Sequence, residues 1–206
     1  MILNQYTTTT RSTVSSISPY SAVAIDWNGL IFGIGCHNSI KLFDKRMYSN
    51  GCFASFELSL TPSNTSSYST STGVSQPQSQ SSYDLVYIDI SIDGTLILCC
   101  TYIHSIKHIF IMDSYSGDIQ CIIRLTTQSN PTKLNYRYTA SFTHDSQYIW
   151  CGTDTGTVQC YECSTGNIVH HINGYHDPVP HVRCSPTQHC IATTTQKQLV
   201  MCLPSG

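Results

Sequence analysis

One turn recurs four times along this chain and constrains what it can become. AIDWNGLIFGIG, DISIDGTLILCC, SFTHDSQYIWCG and RCSPTQHCIATT each lead from one strand-like run through turn residues into a second run. They align on Asn28, Asp93, Asp145 and Thr187. With the stretch from Thr61 to Ser82 set aside, the intervals are 43, 52 and 42 residues, close to the 40–45 of one four-stranded repeat. A second turn keeps the same register, with Asp113-Ser114-Tyr115-Ser116-Gly117-Asp118 matching Glu162-Cys163-Ser164-Thr165-Gly166-Asn167. Its Gly-Asp and Gly-Asn pairs tolerate the positive φ that a tight antiparallel reversal needs.

Between the turns lie short apolar runs: AVAIDW, LIFGIGC, SIKLFD, CFASFEL, LVYIDIS, TLILCC, HIFIMD, IQCIIRL, YTASF, YIWCGT, VQCYE, IVHHI, CIATTT and LVMCL. β-Branched and aromatic residues fill them, several alternate with polar ones, and none keeps an apolar stripe at helical spacing. The chain is therefore expected to be all-β, a partial β-propeller of WD repeats with about three to four four-stranded blades. The blades should occupy residues 18–206, and residues 1–17 are either the remnant of an earlier blade or a disordered segment. The run TPSNTSSYSTSTGVSQPQSQSS, residues 61–82, interrupts them and has too few apolar groups to offset the entropy of ordering. Its sequon, Asn64-Thr65-Ser66, has no meaning in an intracellular chain.

Charge and cysteine usage narrow the function. Only 11% of the 206 residues are charged, the net charge is −2, and the sole basic cluster is Lys45-Arg46, which argues against binding nucleic acid directly. No apolar run is long enough to span a membrane as a helix, and MILNQYTTTT lacks the basic-then-apolar pattern of a secretory leader. Eleven cysteines, an odd number, then read as reduced, mostly buried thiols, with Cys99, Cys100, Cys151, Cys184, Cys190 and Cys202 inside apolar runs.

One motif invites a metal. Cys160, Cys163, His176 and His181 fall at C-x2-C-x12-H-x4-H, within the Cys₂His₂ zinc window. The repeat register accounts for them otherwise: Cys160 takes the place of Ile111 and ends a third strand, Cys163 takes the place of Ser114, and His176 precedes the next blade. Pro178 and Pro180 also break the helix that would carry both histidines. No metal and no cofactor are expected. Gly33-Ile34-Gly35 lacks the rest of a dinucleotide-binding loop and reads as a small-residue strand. Asp154 and Gly156, in TDTGT, read as structural turn residues. Trp27 and Trp150 read as blade packing, with a partner contact as the other reading.

Three stretches resemble one family. GLIFGIGCHNSIKLFDKRMYSNGCFASFEL, DGTLILCCTYIHSIKHIFIMDSYSGDI and YTASFTHDSQYIWCGTDTGTVQCYECSTGNI are similar to successive blades of the WD repeat-containing protein 82, or Swd-two, family, as is the tail LVMCLPSG. The resemblance covers about residues 20–60 and 84–206, the C-terminal half of that family's pattern. Phe43-Asp44 stands where a WD repeat has Trp-Asp, and His176 stands at the Gly-His position, where the family implies a hydrogen bond tying the blade together. Asp44, Asp154, Gly156 and His176 are thus the expected structural residues, and the partner-binding residues are unassigned.

The resemblance implies a non-catalytic, nuclear scaffold subunit of a COMPASS-like complex, whose methyltransferase modifies histone H3 lysine 4. Its implied partners are the SET-domain methyltransferase and the phosphorylated C-terminal repeat of RNA polymerase II. The alternatives are a WD adaptor in a termination or phosphatase complex, a ubiquitin ligase or a trafficking complex, and a propeller hydrolase with acidic residues around its channel. The family's ring has about seven blades, so the outer faces here are expected to expose Ile97, Phe110, Ile122 or Trp150 and to drive association.

Overall fold

The computed structural model describes residues 21–58, 84–103, 106–125 and 138–203. The segments 1–17 and 61–82 lie outside the described residues. Among the described residues, fifteen strands form four antiparallel meanders, each a blade. The first blade holds β1 (Ser21–Ile25), β2 (Ile31–Cys36), β3 (Ser39–Asp44) and β4 (Ala54–Glu57). The second holds β5 (Asp84–Ile90), β6 (Leu96–Ile103), β7 (Ile106–Asp113) and β8 (Ile119–Leu125). The third holds β9 (Ala140–Phe142), β10 (Tyr148–Gly152), β11 (Val158–Glu162) and β12 (Ile168–Ile172). The fourth has three strands among the described residues: β13 (His181–Cys184), β14 (Ile191–Thr194) and β15 (Leu199–Cys202). β13 lies outside the apolar runs of the sequence, because His181 and Arg183 alternate with Val182 and Cys184.

The recurrent turn is one structure made four times. Asp26 N–H donates to the Ile31 carbonyl, Ser91 to Leu96, Thr143 to Tyr148 and Ser185 to Cys190. In the second and third blades a hydroxyl at this position also bonds the following aspartate, Ser91 to Asp93 and Thr143 to Asp145. In the first blade the Asp26 carboxylate accepts the Leu30 and Ile31 N–H groups itself. The next turn position takes a positive φ, +67° at Gly29 and +75° at Gly94, and Ser146 adopts the same conformation at +61° without being glycine. The second turn is also shared: Gly117 N–H bonds the Asp113 carbonyl, and Gly166 N–H bonds that of Glu162.

Each blade then stacks on the next through a layer of side chains. The first layer joins Ala22, Ala24, Ile40 and Leu42 to Leu85, Ile88, Phe110 and Met112. The second joins Leu98, Cys100, Ile109 and Ile111 to Phe142, Ile149, Cys151 and Tyr161. The third joins Trp150, Val158 and Cys160 to Val179 and Val182. Because successive strand residues point to opposite faces, β7 sends Phe110 and Met112 to one neighbour and Ile109 and Ile111 to the other. Burial of Ile97, Phe110 and Trp150 corrects the expectation that they lie exposed; they belong to blades covered on both sides, and of the four named residues only Ile122 is exposed.

Close backbone approach at glycine holds the blades in register. A Cβ on Gly117 would meet the Phe56 ring of β4, and one on Gly166 would meet Cys121 of β8. These are the same contact one blade apart, a turn seated on the outer strand of the preceding blade. At the other end, Leu85 N–H bonds the His37 carbonyl and Val179 N–H bonds that of Thr153, tying each incoming strand to the preceding β2–β3 or β10–β11 turn.

Candidate functional site

The first strand of each blade is innermost, so β1, β5, β9 and β13 lie side by side around the channel. β9 and β13 are also stitched together: Val182 N–H donates to Thr139 Oγ1 at 3.2 Å and Cys184 N–H to Ser141 Oγ at 3.1 Å. Where these strands end and the recurrent turns begin, a cavity of about 360 Å³ opens, lined by Asp26, Trp27, Asp89, Ser141, Arg183 and Pro186 among others. This is a channel mouth built from all four blades.

Its chemistry centres on an ion pair that skips a blade. Arg183 Nη1 of β13 lies 2.8 Å from Asp89 Oδ2 of β5. Burial pushes the Asp89 carboxyl above its ordinary range, and the guanidinium opposes that shift without cancelling it. Arg183 also lies over the Tyr87 ring, 5.7 Å from its centroid, and burial pushes that phenol upward. The Arg183 side chain remains largely exposed, so its remaining N–H donors face the mouth. Trp27 lines the same cavity, 57% exposed on the β1–β2 turn. The packing role expected for Trp27 is therefore corrected, whereas Trp150 does pack between the third and fourth blades. An exposed indole and a guanidinium lining one cavity have the composition of a protein-contact hot spot.

Of the four expected structural residues, Asp44 ends β3 and the other three lie between strands. The Asp44 carboxylate accepts the Arg46 N–H and pairs with its guanidinium at 2.6 Å, which holds the carboxyl down at about 2. Asp154 lies in the β10–β11 turn, where Thr153, Thr155 and Thr157 hydroxyls bond one another. Gly156 has a φ of +76°, and a Cβ there would strike the Tyr175 carbonyl oxygen. His176 is exposed; the tie within this blade is made next door, by Tyr175 Oη to Thr193 Oγ1 at 2.8 Å.

The four zinc-spaced residues do not converge. Cys160 lies in the middle of β11, not at its end, and packs toward the fourth blade, whereas Cys163 packs toward the second. Burial pushes both thiols up to about 12. His176 and His181 are exposed. Among the described residues no group of three His, Cys, Asp or Glu side chains is placed to hold a metal. Gly33 and Gly35 belong to β2, where Gly35 meets the Leu85 side chain.

No protein-family model matches the chain. Among curated proteins it is 30% identical over 173 residues to WD repeat-containing protein 82 of Drosophila melanogaster, covering 82% of this chain and 46% of that protein. It is 29% identical over 142 residues to Protein ANTHESIS POMOTING FACTOR 1 of Arabidopsis thaliana, covering 68% of this chain and 34% of that protein. The chain thus spans less than half the length of either relative. Among solved structures, the β-propeller domain of Myceliophteria thermophila Cps50 (Swd1) superposes with a TM-score of 0.59 at 12% identity, covering 89% of this chain and 53% of that one.

Proposed function

We propose a scaffold role for this chain, which is a WD-repeat β-propeller segment related to WD repeat-containing protein 82. In this reading it is a non-catalytic subunit of a nuclear COMPASS-like complex that methylates histone H3 lysine 4, and it helps link that complex to transcribing RNA polymerase II. The observation that carries the reading is the similarity to the Drosophila protein over 82% of the chain. The channel mouth supports it, since Trp27 and Arg183 offer anchors for a polypeptide partner. Affinity purification of the tagged chain from nuclear extract tests it. Recovery of a SET-domain methyltransferase is the expected result. Recovery of a cullin or a coat complex in its place would overturn it.

A further inference from the structure

The chain carries three Asn-Gly pairs: Asn28-Gly29, Asn50-Gly51 and Asn173-Gly174. Asparagine followed by glycine is the dipeptide most prone to lose its side-chain amide, because no side chain shields the glycine nitrogen from the Asn carboxamide. The nitrogen attacks only after giving up its proton, so a hydrogen bond from that N–H protects the pair. Three pairs of one sequence therefore differ in durability by how the fold engages each glycine N–H.

Two of them are engaged. Gly29 N–H donates to the Asp26 carbonyl at 3.0 Å, and Gly51 N–H donates to the Tyr48 carbonyl at 3.1 Å. Each closes a tight turn. Gly174 is different: among the described residues neither its N–H nor the Asn173 carboxamide makes a hydrogen bond. Both residues are exposed, and a Cβ on Gly174 would meet nothing within 4 Å. The chain is fixed again only beyond them, where Tyr175 Oη bonds Thr193 Oγ1 at 2.8 Å and Val179 N–H bonds the Thr153 carbonyl at 3.0 Å.

We propose that Asn173 is a site of spontaneous deamidation and isoaspartate formation, with solvent water as the co-reactant. Hydroxide takes the Gly174 amide proton, and the nitrogen attacks Asn173 Cγ. The N–Cγ bond forms, the Cγ–Nδ2 bond breaks, and ammonia leaves with a proton from water, giving a cyclic imide. Water then opens the imide. Cleavage of the N–Cγ bond gives aspartate, whereas cleavage of the bond to the main-chain carbonyl carbon leaves isoaspartate, whose backbone runs through Cγ. Either product adds one negative charge, and isoaspartate lengthens the main chain by a methylene at the entry to the fourth blade. The site does not depend on which assembly the chain serves.

The test incubates the whole chain at slightly alkaline pH and physiological temperature for several weeks, with and without urea. Peptide mapping by mass spectrometry follows all three pairs. In the folded chain Asn173 should convert at least several-fold faster than Asn28 and Asn50, with isoaspartate in excess of aspartate. In urea, where the turns that engage Gly29 and Gly51 are lost, the three rates should come together. Asn173→Gln should remove conversion at that position and leave the other two unchanged. An Asn173 that stays intact in the folded chain would overturn the proposal, as would conversion of Asn28 or Asn50 at the same rate. So would one ranking with and without urea, which would place the difference in the neighbouring residues and not in the fold.

Discussion

The second blade and the first are built to one plan but end in different surroundings. In the second, β7 reads IKHIFIMD and is buried from Lys107 through Met112, because a blade lies against each face. In the first, β1 reads SAVAI. Its small residues, Ala22 and Ala24, face the neighbouring blade, while Val23 and Ile25 stand 63% and 64% exposed on the other face. Phe32 and Phe43, stacked at 5.1 Å, share that open face through register with Ile25. The last blade mirrors this, with Leu199, Met201 and Leu203 pointing outward. Alternation alone therefore does not say which side of a strand is core. The neighbour decides it, and at each end of the row one face has none among the described residues.

That contrast makes the cost of a substitution depend on blade position more than on residue type. The largest effect is expected at Phe110→Ala, about 3–5 kcal/mol of stability lost, because the ring is fully buried between two blades. Val23→Ala, an apolar truncation on the open face, should cost less than about 1 kcal/mol. Urea denaturation of the two variants checks this, and equal losses would mean that the first blade is covered too.

Glycine sharpens the same comparison. A Cβ at Gly152 would strike the Val179 backbone of the segment entering the fourth blade, whereas one at Gly29 meets nothing. Gly152→Ala should cost about 1–3 kcal/mol or more through forced displacement. Gly29→Ala should cost about 1 kcal/mol, from its positive φ alone. The midpoints of thermal unfolding report the difference.

At the channel mouth, Arg183→Ala should cost about 1–3 kcal/mol at neutral pH by leaving a largely buried carboxylate without its partner. The sign with pH follows from Asp89. Its carboxyl is raised in the folded protein, so folding favours the protonated form, and the penalty appears as pH rises through the unfolded carboxylate range near 4. Removing Arg183 raises the carboxyl further. The loss should thus be small at pH 4 and grow toward pH 7, whereas Asp89→Asn should flatten it. A loss independent of pH would place the role of Arg183 in packing over Tyr87.

The smallest stability effect is expected at Trp27→Ala, within about 0.5 kcal/mol, since the indole stands free on its turn. The same substitution should weaken partner capture in the purification assay.

The sequence carried the local plan well. The register of Asn28, Asp93, Asp145 and Thr187 corresponds to four copies of one hydrogen-bonded turn, because turn chemistry is set by residues close in the chain. It carried the layers poorly. Ile97 and Phe110 look no different from Val23 and Ile25 as residues; only the placement of a neighbouring blade separates buried from exposed. The channel mouth was hidden for a similar reason, since Asp89 and Arg183 are 94 residues apart. Trp27 could have been suspected, because it sits within a turn and not on a strand.

The central claim is that this chain is a row of stacked blades whose two end faces are made to be covered. Sedimentation velocity across micromolar concentrations tests this most directly. The account predicts concentration-dependent association that Val23→Lys and Met201→Lys together suppress. A monomer that unfolds cooperatively and shows no association at any concentration would contradict it.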